Sequence, residues 1–447
     1  MFECAEQQHQ SSLLAPYKAI KRKRWQHSKL WISVIREEGR RLFETMGLPC
    51  RRQEEWKYTD VSAISQHSFA PPTPLMRSRK GPKPGLLEPL IPDFLSPLRL
   101  VFVNGFYSPL LSRLEPLPDG VEVGSLGVEI GRNHPLLQTN LAAYVDVEEN
   151  SFVALNSAFI EDGAWVYIPE GVRFNQPVHL VYISTKSGSS ETRPFVHYPR
   201  NMVIVDRDAA VTIIEEYIGE GKGVYLTNAV TEIVANKGAE VDHYKLQRES
   251  ENAFHIAAIQ VQQGKNSHFR SHSVSFGGQL TRNNIHSQIV GTGSTCTFNG
   301  LFMIRGTQHV DNHTLIDHRA PDCQSSELYH GILDDRARGV FNGKIYVDSQ
   351  AQKTDSKQTS RSLMLSNDAV IDAKPQLEIF ADDVKCTHGA TVGQLDANSL
   401  YYLRSRGITT EEARRMLTIG FAQQITGQFK LEPMRKAVET FLSKRLE

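Results

Sequence analysis

The chain lacks a disulfide framework. Its five cysteines, at positions 4, 50, 296, 323 and 386, are odd in number, widely spaced and never form a Cys-x-x-Cys pair. Neither a stapled secreted scaffold nor a self-contained zinc knuckle is expected. It also lacks net charge, with 50 Lys and Arg against 50 Asp and Glu. A general nucleic-acid binder would carry a basic footprint to displace phosphate counterions. No apolar run approaches the ~18 residues of a membrane helix. The segment Met1 to Gln10 is polar, without a signal-peptide core. These absences predict a cytoplasmic protein with no nucleic-acid or membrane partner. Several catalytic motifs are missing too. Gly219-Glu-Gly-Lys-Gly223 has neither the spacing nor the hydroxyl residue of a phosphate-binding loop, which argues against an ATPase in this chain. There is no GxSxG and no HExxH, and no carboxylate pair stands out as a glycosidase acid and base.

What remains is an ordinary globular composition over 447 residues, 40% hydrophobic and 22% charged, enough for one large domain with appendages. Residues 1–68 read as an N-terminal helical region. Trp31, Ile35, Leu42, Phe43 and Met46 recur at near-helical spacing until Gly47 and Pro49. Before them, the basic run Lys18 to Arg24 reads as a solvated tail. Residues 69–97 hold eight prolines, which remove backbone donors and mark a linker or a wrapped extended segment.

From 98 to 395 the texture is that of many short strands, such as Trp165-Val-Tyr-Ile168 and Met202-Val-Ile-Val205. Aliphatic residues closing these runs recur at Val205, Val234, Val261, Val290, Leu333 and Leu365, a period near 28 broken by one interval of 43. Such periods mark stacked coils that bury one another's faces. A β-helix is therefore expected, with a sandwich or jelly roll as the alternative. The long interval reads as a loop or interrupted coil from His309 to His330. Residues 396–447 read as three short helices. Asp396 caps the first, Thr409 and Glu412 form a capping box on the second, and Glu432-Pro433 opens the third.

Ten of the sixteen histidines fall between His243 and His388. On a strand, Cys386 and His388 are i and i+2 and share one face, where thiolate and imidazole suit iron, copper or zinc. Two ligands do not close a site, so the remainder must come from elsewhere. The plain alternative is a buried thiol and a hydrogen-bonded histidine. The run His309-x-Asp311-x-His313, followed by Asp317, His318, Cys323 and His330, offers a second set of ligand-type side chains. It fits either a stand-alone, cupin-like metal-dependent enzyme or a polar network that holds an irregular coil.

Several runs carry a resemblance. They are His309-Val-Asp-Asn-His-Thr314, Gly339-Val-Phe-Asn-Gly-Lys-Ile345, Lys374-Pro-Gln-Leu-Glu-Ile379, Ala381-Asp-Asp-Val-Lys-Cys-Thr-His-Gly-Ala-Thr391 and Tyr401-Tyr-Leu-Arg-Ser-Arg-Gly407. They resemble the core of the SufB/SufD family of iron–sulfur cluster assembly scaffolds. Gly47-Leu-Pro-Cys-Arg-Arg-Gln-Glu-Glu-Trp-Lys-Tyr-Thr-Asp60 is similar to a run of the SufD branch. The resemblance implies a mainly β protein with a right-handed parallel β-helix core flanked by helical regions at both ends. It implies a non-ATPase scaffold subunit, paired with a SufB-like subunit and a SufC-like ATPase and fed persulfide sulfur by a cysteine desulfurase system. His388 and Cys386 would serve cluster assembly at the SufB-like interface. The SufB branch carries a glutamate where this chain has Gly389, which favours SufD. The C-terminal helices would dock the ATPase through Tyr401, Tyr402, Leu403, Met416, Leu417 and Phe421, the β-body folding without them. The isolated chain would hold no tightly bound cofactor, the cluster or iron being transient in the complex, and could pair with itself.

Overall fold

The computed structural model describes residues 10–70, 84–92, 95–114, 116–186 and 193–447. Residues 1–9 of the expected helical region, and 71–83 with 93–94 of the proline-rich segment, lie outside the described residues.

The chain between Arg99 and Gly393 winds as a parallel β-solenoid. It passes back and forth between two sheets, each of ten strands among the described residues. From Ala210–Gly219 onward each coil contributes one strand to each sheet. Neighbouring strands run parallel and in register. Val211, Val241, Phe269, Cys296, Ser325, Ser356 and Cys386 form one continuous row across seven strands. Parallel pairing excludes the jelly roll, whose strands are antiparallel. Alternate residues face inward, and the inner rows of both sheets build the largest apolar core, including Ile213, Val241, Phe269, Phe298, Ile259, Ile285 and Phe341.

The corners explain the period. Asp208, Gly238, Asn266, Gly293, Asp322 and Lys353 all take left-handed backbone angles, with φ between 55° and 73°. They recur about every 29 residues at one edge of the solenoid. Glycine, asparagine and aspartate tolerate this conformation because they escape the Cβ clash or bond locally.

Three expectations need correction. The 43-residue interval is no insertion, since His309–His318 and Gln324–Leu333 are regular strands. Val290 follows a strand of one sheet, whereas Leu333 closes a strand of the other, so the count spans a coil and a half. The segment 98–395 is not uniformly β. Helices Leu126–Arg132, Pro135–Asn140 and Ser151–Ala158 interrupt its start. Ser125 and Asn150 cap two of them with their side chains, and Pro135 opens the third. The basic run is not a loose tail, because Tyr17–Arg24 is a helix with Tyr17 and Ile20 buried. Arg24 pairs with Glu161 at 2.8 Å, and Leu13, Tyr17 and Ile20 supply the apolar stripe.

Helical layers cover both outer faces. The N-terminal helices and Ser151–Ala158 bury Leu226, Phe254, Ile256 and Leu280 of one sheet. The C-terminal helices Thr410–Thr426 and Glu432–Arg445 bury Ile214, Tyr244, Leu246, Val274, Leu301 and Ile332 of the other. Asp396 caps the preceding helix, Ala397–Ser405, at Ser399 N, and Thr409 caps the next at Glu412 N. No helix among the described residues is long and apolar enough to cross a membrane.

Candidate functional site at the open end of the solenoid

The two sheets end differently. At the start, each sheet ends on a short antiparallel strand: Phe106–Tyr107 pairs with Arg99–Val103, and Glu122–Ser125 with Ala164–Ile168. At the finish, Lys385–Gly393 and Val370–Ile379 are terminal strands with one neighbour each among the described residues. Their outer edges carry the unpaired backbone groups that template further pairing. Val370, Ile379 and Val392 are exposed there.

Cys386 and His388 lie on this last strand. Cys386 stands over Ser356 and His388 over Gln358. Ser356 and Gln358 are buried inward-facing residues, so Cys386 and His388 share the inward parity and face the mouth, as the i, i+2 spacing predicts. With no further coil above, His388 is exposed and Cys386 half-buried. Burial and then Asp355 push the Cys386 thiol up, against the Ser356 backbone bond. A proton-bearing thiol therefore shares one face of the strand with an exposed imidazole. Gly389 has the opposite, outward parity, over Thr359, and nothing lies within 4 Å of where its side chain would begin.

Beneath the mouth the inner rows are polar. Gln358 Nε2 donates to Glu327 Oε2 at 2.8 Å. Burial pushes Glu327 up to about 7, against hydrogen bonds from Thr314 and Gln358. Beside them, His318 Nε2 lies 2.9 Å from Ser325 Oγ, and Ser325 Oγ 2.7 Å from Ser356 Oγ. Deeper still, Lys245 Nζ touches His255 Nε2 at 2.9 Å and donates to Asn283 at 2.5 Å. His255 pairs with Glu249 at 2.7 Å. Composition and spacing did not reveal these interior groups. Row parity could have, since Glu215, Lys245 and Glu327 all share the inward phase of the strand pattern.

The second histidine cluster is used otherwise. Asp311 Oδ2 accepts from Thr59 Oγ1 at 2.5 Å and from Arg282 Nη1 at 2.7 Å. His309 Nε2 lies 3.0 Å from the same threonine hydroxyl. His313 bridges Asp311 at 3.0 Å and Glu55 at 3.2 Å. The Arg282 guanidinium also donates to the Glu55 carbonyl and lies 3.8 Å over the Trp56 ring, while Lys374 pairs with Glu54. The segment Glu54 to Thr59 is thus clasped onto the outer face of the solenoid. Burial opposes ionisation of Asp311, but His313, Arg282 and Thr59 outweigh it and hold the carboxyl well below its usual range. His309, Asp311 and His313 are committed to this clasp. Among the described residues no three His, Cys, Asp or Glu side chains are placed to hold a metal ion.

On the C-terminal helices, Tyr401, Tyr402 and Met416 are exposed, and Leu403 and Leu417 are half-buried. Phe421 faces the other way. It stacks on His330 with centroids 4.4 Å apart, and its carbonyl lies 3.1 Å from His330 Nδ1.

Comparison with known proteins identifies the family. Residues 185–421 match the SufBD core domain of the SUF system for FeS cluster assembly, and residues 7–180 match the SufBD protein N-terminal region. The chain is similar to an iron–sulfur cluster assembly SufBD family protein of Synechocystis, 33% identical over 90% of this chain and 89% of the relative. It is similar to the iron–sulfur cluster assembly protein SufD of Escherichia coli, 32% identical over 90% of each. It is also similar to the Arabidopsis thaliana protein ABCI7, chloroplastic, 31% identical over 91% of this chain and 85% of that one.

Proposed function

The chain belongs to the SufBD family of iron–sulfur cluster assembly proteins, on its SufD-like side, and from that premise we propose that it supplies half of an assembly site which a SufB-like subunit completes. The terminal strands Lys385–Gly393 and Val370–Ile379 pair with the partner's strands, bringing Cys386 and His388 to the seam. Iron and persulfide sulfur are the substrates. His388 offers a neutral imidazole to iron, and Cys386 a thiol that gives up its proton to solvent when it binds the metal. The remaining ligands come from the partner, because this chain carries Gly389 where a carboxylate would help. The sulfur arrives from a cysteine desulfurase system in the cytoplasm.

ATP hydrolysis belongs to a separate SufC-like subunit, docked on the helix pair that exposes Tyr401, Tyr402 and Met416. Leu403 and Leu417 lie at the margin of that surface. Ala397–Ser405 follows the Cys386 strand almost directly, so force applied to the helices is transmitted to the seam. The observation that carries this reading is the position of Cys386 and His388 on the inward row of the last coil, whose edge has no partner among the described residues.

The test is His388→Ala in the complex reconstituted with its SufB-like and SufC-like partners. Cluster formation, followed by absorbance and Mössbauer spectra, should fall at least about tenfold while the complex stays assembled. Undiminished yield in an intact complex discards the ligand role.

A further inference from the structure

The basic run near the N-terminus is used by neither the clasp nor the seam. Lys18 through Lys29 hold six lysines and arginines and no carboxylate, in a chain without net charge. The run borders a cavity of about 1230 Å³ at the start of the solenoid. Its walls come from this run, the helices Leu30–Met46 and Leu126–Arg132, and the terminal strand Phe106–Tyr107.

Four cations line the cavity, Lys23, Arg24, Lys29 and Arg36, with His27 beside them, against the carboxylates Glu161 and Asp162. Both carboxylates are spent. Asp162 accepts from Ser125 Oγ and from the backbone N–H groups of Tyr107, Gly127 and Gly163. Glu161 accepts from Arg24 Nη1 at 2.8 Å and Trp25 Nε1 at 3.1 Å. Lys23, His27 and Lys29, by contrast, have no side-chain partner among the described residues. Arg36 is only 4% exposed. Its Nε donates to the Ile160 carbonyl at 2.8 Å and its Nη1 to Ser28 Oγ at 2.9 Å. Glu161 attracts it only from beyond contact distance, and Arg36 Nη2 is unspent among the described residues. A buried charge without a paired counter-charge is rare in a native interior.

The cavity also selects the body of its ligand. The guanidinium of Arg36 already lies 4.2 Å over the Trp25 ring, and that of Arg24 5.7 Å over Phe106. Stacking of a nucleobase is therefore disfavoured. Aliphatic contact is on offer instead from Pro109, Leu110, Val128 and Ile130, with Leu110 74% exposed. A bilayer cannot enter a concave site, and the volume exceeds the ~300–1,000 Å³ usual for a small ligand.

We propose that this cavity docks an acidic segment of a partner protein, an aliphatic side chain entering beside Leu110 and Val128 and a carboxylate pairing with Arg36. Lys23 and Lys29 hold further carboxylates at the rim. The guanidinium fork suits a carboxylate. The site stands nine strands from Lys385–Gly393 in the same sheet, roughly 40 Å at ~4.8 Å per strand. A partner held there leaves the last coil free, and the proposal stands without the seam.

The experiment uses the full chain. Random peptides displayed on phage are selected on it, and the consensus peptide is titrated by fluorescence anisotropy. That consensus should join Asp or Glu to Leu, Ile or Val. Nothing lies within 4 Å of where a side chain on Gly131, in the cavity wall, would begin. Gly131→Trp therefore plugs the cavity without a clash at its base. It should weaken binding at least about tenfold, as should Lys23→Glu combined with Lys29→Glu. Arg36→Gln should do the same, and the other two variants carry the test if it fails to fold. No selected peptide, or a consensus without carboxylates, overturns the proposal. So does unchanged affinity in folded Gly131→Trp. Displacement of the peptide by inorganic phosphate at constant ionic strength also overturns it, because the cavity then belongs to phosphate.

Discussion

Thr59 and Asp311, 252 positions apart in the chain, meet through a 2.5 Å hydrogen bond from hydroxyl to carboxylate. That contact ties the N-terminal segment to the seventh strand of the sheet it crosses, counted from Glu122–Ser125. It turns a plausible metal triplet into a structural clasp.

Replacing Asp311 with Asn should cost about 3 kcal/mol, because Arg282 is left buried beside a neutral amide. Chemical denaturation measures the loss, and iron or zinc content should be unchanged. The pH dependence follows from the sign of the shift. The folded Asp311 carboxyl is held below its unfolded value. Its stabilisation is therefore full above about pH 4 and is lost as pH falls below that. Asp311→Asn should flatten that acid limb.

The C-terminal helices should loosen in mild acid. His272 packs between Tyr244 and Phe429, with Asp242, Arg270 and Lys430 nearby. His330 stacks on Phe421, with Arg361 nearby. Burial pulls both imidazoles down to about 4. An unfolded or undocked histidine titrates near 6.5. Between those values the undocked state binds more protons, so docking weakens as pH drops from about 6.5 to about 4. Amide hydrogen exchange of residues 410–445 should rise over that range before the solenoid strands exchange. His330→Gln, which can still donate to the Phe421 carbonyl, should reduce the effect.

Deleting residues 396–447 should not leave a clean β-body, contrary to the reading of a separable tail. The deletion uncovers Ile214, Tyr244, Leu246, Val274, Leu301 and Ile332 on adjacent outward rows, an apolar face of the kind that drives aggregation. Light scattering of the truncated chain should show self-association. Docking of the ATPase is better tested with Tyr401→Ala and Met416→Ala, which are exposed and should leave the melting temperature within about 2 °C.

Lys353 occupies a left-handed corner, φ 60°, where the equivalent corners carry glycine, asparagine or aspartate. Its side chain is exposed. Lys353→Asn should therefore stabilise the chain, by up to about 1 kcal/mol, read as a raised denaturation midpoint.

The coil period was legible because identical corners force identical spacing. Asp208, Asn266 and Asp322 repeat the same local solution. The Cys386 and His388 pairing was legible because strand parity is a matter of counting. The clasp was not, since which threonine meets Asp311 depends on how a distant helical segment crosses a sheet. Nor were Glu327 and Lys245 evident, because a charged residue in a strand reads as outward until the rows are stacked. The helices between Leu126 and Ala158 were missed although their caps were present, because the short strands on either side set the expectation.

The asymmetry of the two ends has a stoichiometric consequence. A repeat array with two raw termini could grow into a fibre, each unit adding to the last. Here the first rung carries only the short antiparallel strands Phe106–Tyr107 and Glu122–Ser125, whereas the last rung offers two long parallel edges. A union through the long parallel edges uses up both at once, and growth by that route halts at a pair.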